Sequence, residues 1–230
     1  MQNFVYRNQT EILFGRGTIS EITGRVPMNG PVLLAYGGGS IKRNGVYDQV
    51  KAALKNHQVV EFGGIEANPV YETCLKAVEA VKAGGVRFVL AVGGGSVLDA
   101  SKFIAAAACF TGPDPWEILR THGAVVEAAL PVGTVLTLPA TGSESNGNAV
   151  ISRRATQEKL AFASNLVFPV FSVLDPTATF SLPQKQVRNG IADAFVHVME
   201  QYLTYPAEAP LQDRLSESVL QTLIEVAPVT

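Results

Sequence analysis

The segment Leu34-Ala35-Tyr36-Gly37-Gly38-Gly39-Ser40 has an echo in Leu90-Ala91-Val92-Gly93-Gly94-Gly95-Ser96, and this doubled pattern decides the fold. In each copy an apolar run, the signature of a buried strand, meets three glycines and a serine and then turns into a helical pattern. Glycines admit positive φ and let a ligand approach the backbone closely. Free N–H groups at a helix start attract phosphate. A single GGGS reads equally well as a tight strand-to-helix turn. Two copies at two strand-to-helix junctions point to a dinucleotide held by a pair of loops. Neither copy is GxGxxG or the GxxxxGK[ST] loop, so the ordinary dinucleotide and mononucleotide fingerprints are absent.

Working outward, strand and helix patterns alternate. Strands are expected at 31–36, 58–62 and 87–92, and helices at 46–55, 70–82 and 97–110. Such alternation predicts βαβ units and a parallel sheet. Further strands at 133–139, 148–152, 159–163 and 170–175 lack long helices between them, and some are expected to be antiparallel and to cap the sheet. From Ser181 the pattern turns helical, first to about Tyr202 with Ser181 as N-cap, then from about Pro210 to Glu225. The chain thus reads as an α/β dinucleotide-binding domain over 1–180 followed by the start of an all-helical domain over 181–230.

Composition narrows the function. Eighteen Lys and Arg against twenty Asp and Glu give a formal charge of -2 in 230 residues. That balance argues against nucleic acid as the partner, since phosphate backbones are met by a basic excess. Mean hydropathy is +0.20, ample for a core. The longest near-apolar run, Phe103 to Phe110, is far short of the roughly 20 residues of a membrane span, and no secretory signal opens the sequence. Cys74 and Cys109 stand far apart, which fits small core residues in a reducing, cytoplasmic setting.

After the first glycine turn come Ser40-Ile41-Lys42-Arg43. An NAD site places a carboxylate at the ribose 2′-hydroxyl, whereas an NADP site offers hydroxyls and cations to the 2′-phosphate. The segment has the second character; a solvated helix start with two surface cations is the other reading. Of three histidines, His57 and His122 fall in polar turns. His197 follows Asp193 by four residues on a helix whose apolar residues cover most of its circumference, which predicts a buried helix. At this spacing both side chains share one face. They suit either a divalent ion or a plain surface ion pair, and spacing alone leaves both open.

Several of these segments together resemble the iron-type (metal-dependent) alcohol dehydrogenases, in the branch of NADPH-dependent butanol dehydrogenases and broad aldehyde reductases. The matching stretches are Ile12 to Gly17, Tyr36 to Ser40, Phe62 to Glu66 with Asn68-Pro69, Ala91 to Asp99, Thr137 to Glu144, and Asp193 to His197. The resemblance implies a dehydroquinate-synthase-like α/β domain, with NADP(H) and Fe²⁺ or Zn²⁺ as cofactors. It also implies aldehydes and primary alcohols as substrates and a homodimer when intact. On this basis Gly37, Gly38, Gly39 and Ser40, with Lys42 and Arg43, face the adenosine side. Gly94, Gly95 and Ser96 hold the pyrophosphate, and Asp99 lies near the nicotinamide half. Thr137, Thr141 and Asn146 touch the cofactor from one loop, Lys159 reaches a ribose, and Ser181 and Leu182 touch the nucleotide again. Ala178, where some relatives carry a larger residue, departs from the pattern beside that last contact. Asp193 and His197 match the first two of four metal ligands, an Asp and three His. No histidine follows His197, so the chain reads as an N-terminal portion, inactive by itself. The alternatives are a dehydroquinate-synthase-like lyase and a non-catalytic nucleotide-binding fragment.

Overall fold

The computed structural model describes residues 3–204 and 208–230, which fall into two compact units, Met1–Phe180 and Ser181–Thr230. In the first unit the chain runs β1 (Glu11–Phe14), a 3-10 turn (Thr18–Gly24), β2 (Val32–Tyr36), α1 (Ser40–Arg43), α2 (Val46–Ala53), β3 (Val59–Phe62) and α3 (Tyr71–Ala83). It continues through β4 (Phe88–Gly94), α4 (Gly95–Cys109), α5 (Glu117–Arg120), β5 (Val132–Leu138), β6 (Asn148–Arg153), β7 (Glu158–Ala163) and β8 (Phe171–Leu174). Six strands form one sheet in the order β1-β8-β5-β4-β2-β3, and every pairing within it is parallel.

Alternation along the central strands builds a core on each face. Leu33, Ala35, Val89 and Ala91 point to one side, where Cys74, Ala77 and Val81 of α3 and Leu98, Phe103 and Ile104 of α4 cover them. Val32, Leu34, Phe88, Leu90 and Val92 point to the other, against Ile19 and Ile22 of the 3-10 turn, Ile41 of α1 and Val50 of α2. Near-continuous apolar strands such as VLLAY are what a sheet covered on both faces requires. Trp116, fully buried, packs edge-on to Tyr71 with ring centroids 5.1 Å apart. Cys74 lies in this core, where burial pushes its thiol up to about 12; Cys109 is half-buried, and both thiols are free.

Two expectations are corrected. The segments at 133–139 and 170–175 do not cap the sheet: β5 and β8 are parallel members of it, and only β6 and β7 form a separate antiparallel ribbon. The sheet also gains an edge strand, β1, paired among the described residues only with β8. Ser181 does not cap the next helix. The residue before a proline is kept out of the helical region, so Leu182 stays outside. The helix opens at Gln184 with Pro183 in the cap position (φ −61°), and no side chain caps it.

The second unit contains α6 (Gln184–Tyr202) and α7 (Pro210–Val226), which pack on each other. No residue of α6 is buried, against the expectation of a buried helix, because α7 covers only part of its apolar arc. Ile191, Ala192, Phe195 and Val196 of α6 with Leu223 and Ile224 of α7 line an open apolar groove of about 410 Å³.

Candidate functional site

The two glycine turns sit on neighbouring strands. The connection leaving β2 passes to α1 and α2 on one face of the sheet, and the connection leaving β4 passes to α4 on the other. Between strands whose connections diverge in this way a crevice opens at their carboxyl ends, where ligands of open α/β sheets bind. Gly37, Gly38 and Gly39 flank one side of that crevice and Gly94, Gly95 and Ser96 the other.

Each turn has its own geometry. Gly39 sits in the left-handed region (φ +92°, ψ 11°) immediately before α1, and a Cβ added there would meet nothing within 4 Å. Gly95 opens α4, a helix of 15 residues with no side-chain cap and no acidic residue in its first turn. Its uncapped N–H groups and positive dipole end suit an anion. A Cβ on Gly95 would come within 2.5 Å of Thr141 Oγ1, so this glycine lets the 139–147 loop close onto the helix start. Between Gly93 and Gly94 the register with β5 slips: Gly93 faces Leu136, Gly94 faces Leu138, and Thr137 is left opposite neither. Such a bulge re-aims a side chain at the end of a strand.

The ribbon reaches the second turn. Lys159 Nζ on β7 donates to Asn68 Oδ1 (2.9 Å), and the Asn68 N–H donates to Ser96 Oγ (3.2 Å). Asn68 takes φ 55° to make this possible. The adenosine side is built differently. Lys42, exposed, lies over the Tyr36 and Tyr47 rings with its ammonium 5.0 and 4.8 Å from their centroids. A hydrogen bond with Tyr36, then the charges of Tyr47 and Glu61, hold it above the usual lysine range. Arg43 is exposed beside it. Glu61 on β3 accepts from Tyr47 (2.8 Å) and Lys51 (2.9 Å), and these bonds hold its carboxyl low, Lys51 being the larger influence.

Under the 139–147 loop lies a group the sequence reading did not single out. Lys102 on α4 is fully buried and donates to Ser143 Oγ (2.9 Å), Asn146 Oδ1 (3.0 Å) and the Asn148 carbonyl (2.9 Å). Burial lowers its pKa to about 8 in spite of the Asp99 and Glu144 charges. Ser143 Oγ passes its own proton towards Asp99 Oδ1 (2.6 Å), while the Val150 N–H donates to Asp99 Oδ2 (3.0 Å). Asp99 therefore serves the framework of this loop as well as facing it, and burial raises its pKa.

Of the expected site residues, the structure brings Gly37 to Ser40, Lys42 and Arg43, Gly94 to Ser96, Asp99, Thr137, Thr141, Asn146 and Lys159 to the carboxyl end of one sheet or the loops and ribbon beside it. Ser181 and Leu182 precede α6 in the second unit, and Asp193 and His197 lie on α6. There His197 Nε2 is 3.6 Å from Asp193 Oδ2, with both side chains more than half exposed. A carboxylate oxygen and an imidazole nitrogen suit a divalent ion. Among the described residues, however, no group of three or more His, Cys, Asp or Glu is placed to hold one. The pair alone offers two donor atoms.

Residues 9–176 match the family model described as iron-containing alcohol dehydrogenase. The chain is 56% identical over 229 residues to the NADPH-dependent aldehyde reductase YqhD of Escherichia coli K12, covering 99% of this chain and 59% of that protein. It is 48% identical to the probable NADH-dependent butanol dehydrogenase 1 of Bacillus subtilis 168, covering 99% and 59% respectively. The substrate- and cofactor-free structure of the E. coli aldehyde reductase superposes with a TM-score of 0.92 at 54% identity, over 99% of this chain and 58% of that one. The chain thus spans about three fifths of the length of these relatives.

Proposed function

The chain belongs to the iron-containing alcohol dehydrogenase family, and from that premise we propose that it supplies the coenzyme-binding part of an NADP(H)-dependent enzyme interconverting aldehydes and primary alcohols. The observation that carries this reading is the pair of glycine turns on adjacent strands at the point where the sheet's connections diverge. The uncapped start of α4 receives the pyrophosphate there. The Gly39-Ser40 turn leaves room and hydroxyl for a 2′-phosphate, and among the residues from Gly37 to Arg43 there is no carboxylate to repel it. Lys42, held over the Tyr36 and Tyr47 rings and kept cationic there, adds positive charge beside that turn without closing it.

Once bound, a nicotinamide supplies the hydride, and the protein's share is orientation and exclusion of water. Thr137, re-aimed by the bulge, and Thr141 and Asn146 on the 139–147 loop border the side of the crevice that the nicotinamide half would occupy. Asp193 and His197 would provide two ligands to a divalent ion of the kind that polarises a carbonyl oxygen. A catalytic ion takes three protein ligands or more, so the two held by this chain give a coenzyme-binding portion without turnover. Both cofactor types occur among the relatives' names, one NADPH-dependent and one NADH-dependent, and the carboxylate-free turn supports the NADPH reading here.

The test has two arms. Titration of the 230-residue chain is expected to show NADP⁺ binding tighter than NAD⁺, and dialysis against Fe²⁺ or Zn²⁺ is expected to leave less than one ion per chain. Assay with butyraldehyde and NADPH is expected to show no turnover. Metal-dependent oxidation of NADPH by the chain alone would refute the assignment of a half-set of ligands, and tighter NAD⁺ binding would refute the cofactor choice.

A further inference from the structure

Asn146 Oδ1 accepts two hydrogen bonds at once, from Lys102 Nζ (3.0 Å) and from the Asn148 N–H (2.9 Å). Both partners are pure donors. The atom between them must therefore be the carbonyl oxygen, so the orientation of this amide is dictated by its neighbours. The Asn146 NH₂ is then turned the other way, towards the Gly142 turn. Asn146 is only half-buried. Lys102 itself spends all three of its protons within the protein, on Ser143, Asn146 and the Asn148 carbonyl.

We infer that Lys102 is a positioning residue: it fixes the polarity of the Asn146 amide, so that the 139–147 loop presents an N–H donor to an acceptor oxygen on the nicotinamide half of a bound dinucleotide. This rests on the dinucleotide reading above. Without the ammonium only the Asn148 N–H would still hold that oxygen, and the amide would turn over more readily to offer its oxygen instead, which would repel a carbonyl. The same ammonium holds Ser143, and Ser143 in turn bonds Asp99, so one buried cation ties α4 to the loop at two points. A buried lysine is costly unless fully bonded. The cost makes sense where its removal would loosen a loop that has to keep one orientation.

A merely structural lysine and a polarity-setting one predict different outcomes. The probes are NADP⁺ and 2′,5′-ADP, which carries the adenosine half and the 2′-phosphate without a nicotinamide. Lys102→Met is expected to weaken NADP⁺ binding up to about tenfold, the upper end of what one neutral hydrogen bond is worth, and to leave 2′,5′-ADP binding within about twofold. Asn146→Asp keeps two acceptors for Lys102 and the Asn148 N–H but removes the NH₂. It is expected to give the same selective loss, and it carries the test if Lys102→Met fails to fold, which loss of 2′,5′-ADP binding would reveal. The double variant is expected to cost no more than either single one, since both remove the same donor; additive losses would mark Lys102 as acting elsewhere. Equal losses for both ligands in Asn146→Asp, or no loss for NADP⁺, overturn the positioning role while leaving the dinucleotide reading intact. Failure of the unsubstituted chain to bind either probe overturns both.

Discussion

Replacing Gly39 by aspartate tests the cofactor side of the site, and its effect divides into two parts of different origin. The first is backbone strain. Gly39 holds φ +92°, and an L-residue in the left-handed region costs on the order of 1 kcal/mol. Aspartate is among the side chains that tolerate this region best. No steric part adds to it, because a Cβ at this position meets nothing within 4 Å. The second part is charge. A carboxylate roughly 5 Å from a 2′-phosphate near −2 is repelled by about 1–2 kcal/mol in well-hydrated surroundings. That corresponds to a loss of roughly 5–30-fold in NADPH affinity. The same carboxylate can accept from the free 2′-hydroxyl of NADH, which adds about 1 kcal/mol in the other direction. The ratio of NADPH to NADH affinity should therefore fall by about two orders of magnitude. Fluorescence titration of both coenzymes at low and high salt measures it, with Gly39→Ala as the control for strain alone. The electrostatic part should shrink as salt shortens the screening length. An unchanged ratio in Gly39→Asp, or an equal shift in Gly39→Ala, would refute the placement of the 2′-phosphate at this turn.

The pKa of Lys102 is lowered to about 8 in the fold, against an ordinary 10.5. The unfolded chain thus binds the extra proton between those values, and stability should rise with pH across this window by at most about 3 kcal/mol relative to Lys102→Met; urea unfolding at pH 7.5 and 10.5 reads this, and a falling difference would contradict it. Trp116→Ala, which empties a fully buried site, should cost about 3–5 kcal/mol. Trp116→Phe should cost far less, since the indole N–H is buried with no hydrogen-bond partner among the described residues and its loss removes a desolvated donor; equal costs in chemical denaturation would count against that account. The second unit leaves Val196, Leu211, Leu215, Val219 and Ile224 exposed, and apolar surface of this kind promotes association. Sedimentation of the full chain should show concentration-dependent self-association that a chain ending at Phe180 lacks, and identical behaviour of the two would refute it.

The doubled glycine turn was legible because its chemistry is local: an apolar strand, three glycines and a helix start specify their own junction. β2, α3, β4 and α4 followed from it. What was not legible depends on partners distant in sequence. The four residues of β1 carry no pattern of their own and become a strand only beside β8. Membership of β5 and β8 in the main sheet is likewise set by neighbours, while the ribbon β6–β7 announced itself only as short strands. Ser181 drew attention as a cap because it is a good cap by type, yet Pro183 two residues later fixed where the helix begins. Lys102 was overlooked since a lysine ordinarily marks a solvated face. Its surroundings did carry the signal: from Val97 to Ala107 the helix offers no polar face apart from Asp99, Ser101 and Lys102 itself, so a lysine there has to go inside. The contact of Lys159 with Asn68 was not legible at all, because nothing local links residues 91 positions apart.

The edge strand β1 has a bearing on how the protein is made. Asp175, just past β8, accepts from the Gly17 N–H just past β1 (2.7 Å), and the two residues are 158 positions apart. Among the described residues, β1 pairs with β8 alone. During synthesis at roughly 5–20 residues per second, β1 would wait about 10–30 s for its partner β8, its backbone donors and acceptors open to any other nascent strand. The inner strands β2, β3 and β4 meet much sooner, so the sheet would grow from its middle and be closed at that edge last. Conditions that slow translation ahead of β8, or that raise the density of neighbouring nascent chains, would therefore lower the yield of folded protein before they altered the stability of what had folded.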